Sequence, residues 1–297
     1  MKENRYWSTY VQSTEELYTS RSLKFTEENL HRWIEAMGVK DGMRLLEVGC
    51  AGGLLSHRIK TRLPGCEITG VDLDAGHIEF AKAKTAELGL TGTFVTGDAC
   101  GLPFADDLFD LTFSHTVMSF CDPDRFAAEQ YRVLKPGGRM AVLEVVNSVP
   151  GPEEWVPTPD CEEYELFDRL WEAASENDNS NVKKFETDPR RYALYLERQG
   201  FKNLSIDAVA NVKYAPGWAN MPEEAALAQI NDDRLSELTS AAKAHAMAPA
   251  ALTDSEYESL LQMIHRRYDA QVAAYKRGER SRDFRIATTV VITGEKI

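Results

Sequence analysis

Residues 45–53 read Leu-Leu-Glu-Val-Gly-Cys-Ala-Gly-Gly, a short apolar strand carrying one acid and running into a turn with glycines at 49, 52 and 53. A glycine-rich turn directly after such a strand lets backbone come close to a ligand. The familiar ligands of these turns are phosphates, gathered by the N–H groups of the helix that follows. Glu47, at the lip of the turn, would repel them at short range. The dinucleotide pattern G-x-G-x-x-G also fails on count, because from Gly49 its second glycine position holds Ala51 and its third holds Leu54. A carboxylate at this place suits a ligand with positive charge near the turn.

Composition narrows the field further. The chain has 297 residues, 43% hydrophobic and 27% charged, enough for one or two soluble domains with a sizeable core. Its 34 Lys and Arg against 47 Asp and Glu give a net charge of −13, so no nucleic-acid partner is expected. No apolar run reaches membrane-spanning length and the start, MKENRYWSTY, has no signal pattern. A cytoplasmic protein without a membrane partner is the expectation. The five cysteines, at 50, 66, 100, 121 and 161, are odd in number and form no C-x-x-C pair, which fits a reducing compartment. The six histidines do not pair at helical spacing, so no metal site is expected.

From about residue 43 to 147 the sequence alternates buried-strand segments (43–49, 66–73, 91–98, 109–116, 139–147) with amphipathic helical ones (53–65, 75–90, 123–138). Such alternation implies right-handed crossovers and a parallel sheet covered on both faces. Ahead of it, Ser13 and Glu16 form a capping-box pattern, and Thr26 opens a helix whose Leu30, Trp33, Ile34 and Met37 share one face up to Gly38. Behind it come a proline-punctuated loop, a helix over about 161–177, another opening at Asp188-Pro189, and two more strands near 202–214 and 283–295. The fold class is therefore α/β: a Rossmann-like, doubly wound, seven-stranded, mostly parallel sheet with a helical N-terminal segment and helical lid insertions. Its divisions are 1–38 as an N-terminal lid segment, 39–150 as the ligand-binding core, and 151–297 completing the sheet, with cap insertions at about 153–200 and 220–278. The "KPGG" at 135–138 reads as a turn that stops a helix and aims the next strand. Ligands of such sheets lie outside the carboxyl ends of the strands, at the topological switch point.

S-adenosylmethionine carries both an ammonium and a sulfonium, and residues 47–53 resemble motif I of the class I S-adenosylmethionine-dependent methyltransferases, acid-x-G-x-G-x-G. Glu47, Gly49 and Gly53 match it; Ala51 departs from the middle glycine. Asp72, ending the strand "GVDLD", can accept two hydrogen bonds from ribose hydroxyls, or can be a loop aspartate, Asp74 being the better cap for the next helix. "GDACGLPF" resembles the family's adenine-binding turn, with Asp98 accepting from the exocyclic amine and the Ala99 backbone meeting the ring; Asp98 could equally be a turn residue. "FDLTFSHT" and "YRVLKPGGRMAVLE" complete the resemblance, which covers about 43–147 and is greatest to the small-molecule branch typified by the ubiquinone and menaquinone C-methyltransferases. It implies a cofactor-binding set of Glu47, Gly49, Cys50, Ala51, Gly53, Asp72, Leu73, Asp98, Ala99 and Ser114.

The resemblance implies in-line methyl transfer to a small-molecule acceptor; the alternative is a sensor or accessory protein that binds S-adenosylmethionine or S-adenosylhomocysteine without transfer. His115, at the end of the fourth strand, is the candidate catalytic base by pKa class, or else a structural hydrogen-bonding group. Glu144 either reaches the pocket or is buried in a pair. Tyr6, Trp7, Tyr10, Trp155 and Trp218 supply rings for a planar or cationic substrate, or else staple helices to the sheet. Arg21 is a candidate partner of the cofactor's carboxylate that nothing in spacing compels. Cys50, Cys100 and Cys121 could converge near the strand ends, as an arsenic methyltransferase would need, though cysteine is also a common buried residue. A homodimer built on the helical additions is left open.

Overall fold

The computed structural model describes residues 13–22, 25–149, 158–176, 185, 188–218, 221–280 and 284–297. Its strands are β1 (Arg44–Val48), β2 (Glu67–Asp72), β3 (Thr93–Thr96), β4 (Phe109–His115), β5 (Leu134–Val149), β6 (Lys202–Tyr214) and β7 (Phe284–Glu295). They form one sheet in the order β3-β2-β1-β4-β5-β7-β6. The first five run parallel, so that β1 pairs with β2 on one side and β4 on the other, and the switch point lies at its carboxyl end. Asn203 of β6 bonds Glu295 of β7 at 2.7 Å while Asn211 bonds Thr289 at 3.2 Å, so these two strands run antiparallel.

Why both faces are covered follows from the period of two in the strands. Leu45, Leu111, Phe113 and Leu143 point to one face, where they meet Leu30, Trp33 and Met37 of α2 (Glu27–Met37) and Leu55 and Ile59 of α3 (Leu54–Arg62). Their neighbours Leu46, Val48, Met140 and Val142 point to the other, against Phe126 and Val133 of α5 (Pro123–Val133) and Tyr192 and Leu196 of α7 (Tyr192–Arg198). The remaining helix of this part before α5 is α4 (Ala75–Glu87), and α1 (Thr14–Ser22) precedes α2. Side-chain caps start the helices as the sequence indicates. Thr26 accepts from Asn29 N–H, Asp74 from Gly76 N–H, and Asp122 from Asp124 and Arg125 N–H ahead of Pro123; each such cap is worth about 1 kcal/mol. Gly38, at φ 78°, ends α2.

One segment differs from the sequence expectation. The "KPGG" segment is part of β5: Leu134 already pairs with Phe109 and Arg139 pairs with Leu111, so Lys135–Gly138 bulge out of the ladder. The Lys135 ammonium, 2.6 Å from Asp110 on the partner strand, holds the bulge there. The insertion at 220–278 is two helices, α8 (Glu223–Met247) and α9 (Asp254–Lys276), because Thr253 and Glu256 restart the helix with a reciprocal capping box.

The chain forms two compact units, residues 1–146, 180–211 and 288–297 in the first and 147–179 and 212–287 in the second. The second packs α6 (Cys161–Glu176), α8 and α9 around Leu170, Ile230, Leu260 and Ile264. Within it the buried Arg267 guanidinium is held by Glu163 at 2.8 Å and by Glu237, which also accepts from Tyr268 Oη at 2.9 Å. Removing one member of such a buried set leaves an uncompensated charge, so it fixes how the three helices register. Among the described residues no helix is long and apolar enough to cross a membrane.

Trp33 is fully buried and stands edge-on to Phe25, ring centroids 5.0 Å apart. Trp33→Ala should therefore remove about 3–5 kcal/mol of stability, read as a fall in the urea midpoint at unchanged slope.

Candidate active site

At the end of β1 the chain turns sharply and is tied to the end of β2. Gly49 and Cys50 N–H both donate to the Val71 carbonyl, at 2.8 and 3.0 Å. Ala51 N–H donates to Asp72 Oδ2 at 2.8 Å. The turn needs left-handed backbone at Gly49 (φ 72°), Ala51 (φ 46°) and Gly53 (φ 78°). A Cβ at Gly49 would lie 2.5 Å from Val117 Cγ2, so glycine is required there for space as well as conformation. Ala51 carries its methyl group at a conformation that costs about 1–2 kcal/mol for such a residue, and its bond to Asp72 holds it in place.

Asp72 is thus the anchor of the turn. Its Oδ1 accepts from Asp74 N–H at 2.9 Å and lies 3.4 Å from His77 Nδ1. An ionised carboxylate has about four acceptor positions, so two backbone partners leave capacity for further donors. Leu73, next in sequence, is 60% exposed.

Glu47 is 4% exposed, flanked by Gly70 of β2 and Phe113 of β4. Its Oε2 accepts from both the N–H and the hydroxyl of Ser56, at 3.1 and 2.5 Å. Ser56 is the third residue of α3, so the acid satisfies a donor in the first turn of that helix and faces the positive end of its dipole. This gives Glu47 a structural role alongside any part in ligand binding. Burial raises its pKa to about 7, against the lowering effect of Ser56 and, further off, Arg21.

Arg21 reaches the same place from α1, donating to Thr116 Oγ1 at 3.1 Å. Burial lowers its pKa, while Glu47, Asp72 and Glu144 act to hold the charge. Glu47, Arg21 and His115 line a small, partly open pocket bordered by Tyr18, Phe25 and the Cys50–Gly52 turn, all within the first unit. Thr116, whose side chain is β-branched, sits at φ 56° and donates to the His115 carbonyl at 2.7 Å. Strain of this kind at a β-branched residue persists only where surroundings enforce it, and it concentrates at functional sites.

His115 departs from its expected chemistry. Burial first, and the Arg21 charge second, push its pKa down to about 3, and its ring packs against Phe25 and Trp33 at centroid distances of 5.0 and 5.5 Å. A base working near neutral pH needs a pKa near that pH, so the pKa class that nominated His115 does not survive folding. Its Nε2 and the Ser114 hydroxyl on the same strand are buried with no hydrogen-bond partner among the described residues. Glu144 accepts from Tyr192 Oη at 3.1 Å in a buried pair. Asp98 accepts from Cys100 N–H at 2.8 Å and bridges to Gly101, so it builds the turn that carries Ala99. Trp218 lies in the second unit, its ring 4.6 Å from Tyr214. Tyr6, Trp7, Tyr10 and Trp155 fall outside the described residues. Cys50 packs with Ile78, Ala81 and Phe94, and no three-residue cluster of metal-binding type forms among the described residues. Sequence reasoning missed Ser56 and Thr116; the readable signal for Ser56 is its place at the third position of a helix that follows a buried acid.

Gly49→Ala should destabilise the fold by about 2–4 kcal/mol, from left-handed strain plus overpacking against Val117, and calorimetric unfolding measures it.

Residues 46–142 match the methyltransferase domain family. The chain is 38% identical over 102 residues to demethylmenaquinone methyltransferase of Thermus thermophilus, spanning 34% of this chain and 46% of that protein. To the ubiquinone/menaquinone biosynthesis C-methyltransferase UbiE of Paracoccus denitrificans it is 31% identical over 202 residues, spanning 61% of this chain and 79% of that one. The fold is shared with phosphoethanolamine N-methyltransferase 2 of Haemonchus contortus, solved with S-adenosylmethionine, at a TM-score of 0.54 and 15% identity over 100% of this chain and 60% of that one.

Proposed function

Since the chain belongs to the class I S-adenosylmethionine-dependent methyltransferases, we propose that its pocket at the glycine turn takes the amino-acid end of S-adenosylmethionine and that the acceptor is a small molecule of planar or cationic character. The observation that carries this is a buried acid and a partly buried guanidinium, Glu47 and Arg21, lining one pocket. A zwitterionic amino-acid head, with an ammonium and a carboxylate, matches that pair of charges, whereas a pyrophosphate matches only one. The partnerless Ser114 hydroxyl and His115 Nε2 offer further polar atoms at the end of the same strand.

On this reading Asp72 accepts from the ribose hydroxyls, and Leu73 and the turn at Asp98 and Ala99 border the adenine. S-adenosylmethionine supplies a methyl carbon on a sulfonium, a leaving group that is already activated. The chain's own part is to align the acceptor and keep water out, a positioning effect that reaches about 7–11 kcal/mol. His115 stays neutral at working pH and serves as a wall and hydrogen-bonding group. Tyr18, Phe25 and His115 give the pocket aromatic faces, which suit a flat ring or a cation. All five cysteines are free, which suits the cytoplasm.

Calorimetry should show binding of S-adenosylmethionine and S-adenosylhomocysteine and none of nicotinamide dinucleotides; no binding of either sulfur compound would sink the reading. Asp72→Ala should weaken binding about 10–100-fold, the loss of charge-assisted hydrogen bonds of about 1.5–3 kcal/mol. Transfer of labelled methyl groups into small-molecule metabolite pools distinguishes an enzyme from a sensor, which would bind and transfer nothing.

The Glu47 carboxyl sets a pH dependence. With its pKa raised to about 7, much of it is protonated below neutrality, and a cationic ligand favours the ionised form, so binding releases a proton. Affinity should rise about tenfold from about pH 6 to about pH 8 and level off above. Glu47→Gln, which keeps an oxygen for Ser56, should flatten that profile in calorimetric titrations.

A further inference from the structure

Tyr18 and Arg21 stand three residues apart on α1, so they share one face of that helix, and both line the pocket. Arg21 is tied to Thr116. Tyr18 has a tie of its own, to α3: its hydroxyl lies 3.2 Å from His57 Nδ1, and His57 Nε2 lies 2.8 Å from Thr85 Oγ1 of α4. The far end of this chain fixes its direction. The Thr85 hydroxyl donates its one proton to the Ala81 carbonyl at 2.6 Å, so towards His57 its oxygen can only accept. Nε2 therefore carries the proton of the neutral ring, Nδ1 is the acceptor, and the Tyr18 hydroxyl donates to it. His57 is buried, and burial lowers its pKa to about 4, which keeps the ring neutral near pH 7.

The Tyr18 ring is seated as closely as its hydroxyl. It packs on Phe80 of α4 with ring centroids 5.4 Å apart. At Gly52 of the glycine turn a Cβ would lie 3.2 Å from Tyr18 Cδ2 and 3.0 Å from Phe80 Cδ1, closer than ordinary contact, so the absence of a side chain there makes room for both rings. One residue of α1 is thus fixed against the turn, α3 and α4 together.

We propose that His57 is a positioning residue for the carboxylate end of the ligand: by accepting from Tyr18 it holds α1 in place, so that Arg21, about one helical turn further on, meets the ligand already oriented. The proposal rests on the reading above that Arg21 pairs with the carboxylate of S-adenosylmethionine. A guanidinium on a long side chain loses much freedom when a ligand orders it, and fixing its helix beforehand removes part of that cost from binding. His57 does not line the pocket; it acts through Tyr18. Its influence is therefore confined to ligands that carry the amino-acid end.

The test is calorimetry on the full chain with two probes, S-adenosylhomocysteine and methylthioadenosine, the latter a nucleoside thioether without the amino-acid end. Tyr18→Phe keeps the ring and removes only the donor. It should weaken S-adenosylhomocysteine about three- to tenfold, the worth of one hydrogen bond, and leave methylthioadenosine unchanged. His57→Leu should reproduce that selective loss and add nothing to it when combined with Tyr18→Phe. Equal losses for both probes, as a general loosening of the fold would give, or no loss for either, overturn the proposal. In an Arg21→Gln background Tyr18→Phe should cost nothing further, and an additive loss also overturns it. If His57→Leu fails to fold, Tyr18→Phe and the Arg21→Gln pair still decide. If the unaltered chain binds neither probe, the functional reading fails, and hydrogen exchange over residues 17–22 then judges the tie alone: faster exchange in Tyr18→Phe supports it and unchanged exchange overturns it.

Discussion

Everything at the site hangs on the tie between the end of β2 and the turn that follows β1. The two strands are parallel and level, Val48 beside Val71, so the Val71 carbonyl can collect two N–H groups of the turn and the Asp72 carboxylate a third. That clamp lets the chain hold left-handed backbone at Ala51, where a methyl group resists it. The same clamp aims the turn's backbone outward and presents α3 at a fixed angle behind it. A side chain that builds the turn is thereby also the one next to any ligand in it.

Glu47 shows how one acid serves two ends. Buried between β2 and β4, it is desolvated and tends to keep its proton. Ser56 and the amino end of α3 pull it the other way, toward the charged form. The balance falls near neutrality, so the state of the acid is sensitive to a charge arriving beside it. Arg21 is in a similar position with the opposite sign, partly buried yet supported by surrounding carboxylates. On the proposed reading, a ligand carrying both charges complements the two groups that line this pocket.

Much of this is legible in sequence because it is local. The glycines and Glu47 fall within seven residues, Asp72 ends the adjacent strand, and Thr26, Asp74 and Thr253 declare their helices a residue ahead. What stays hidden depends on distant partners. Arg21 meets Thr116 across 95 residues of chain, and no spacing rule joins them. The expectation for His115 rests on the free imidazole, but Phe25, Trp33 and Arg21, brought from the first part of the chain, reset it. Likewise "KPGG" reads as a turn between two elements, whereas Asp110 on the neighbouring strand catches Lys135 and holds the segment as a bulge within β5.

The place of β7 between β5 and β6 bears on how the sheet is assembled during synthesis. β6 leaves the ribosome before α8 and α9, yet its neighbour in the sheet is β7, which follows them. Until then the nascent chain carries two open edges, β5 and β6, with no strand to join them. Such edges invite pairing with other chains, and a contact so distant in sequence is slow to close. Sheet assembly therefore finishes from the inside, with an interior strand arriving last, and the interval in which a helper that shields strand edges would matter is the time taken to translate the helical insertion.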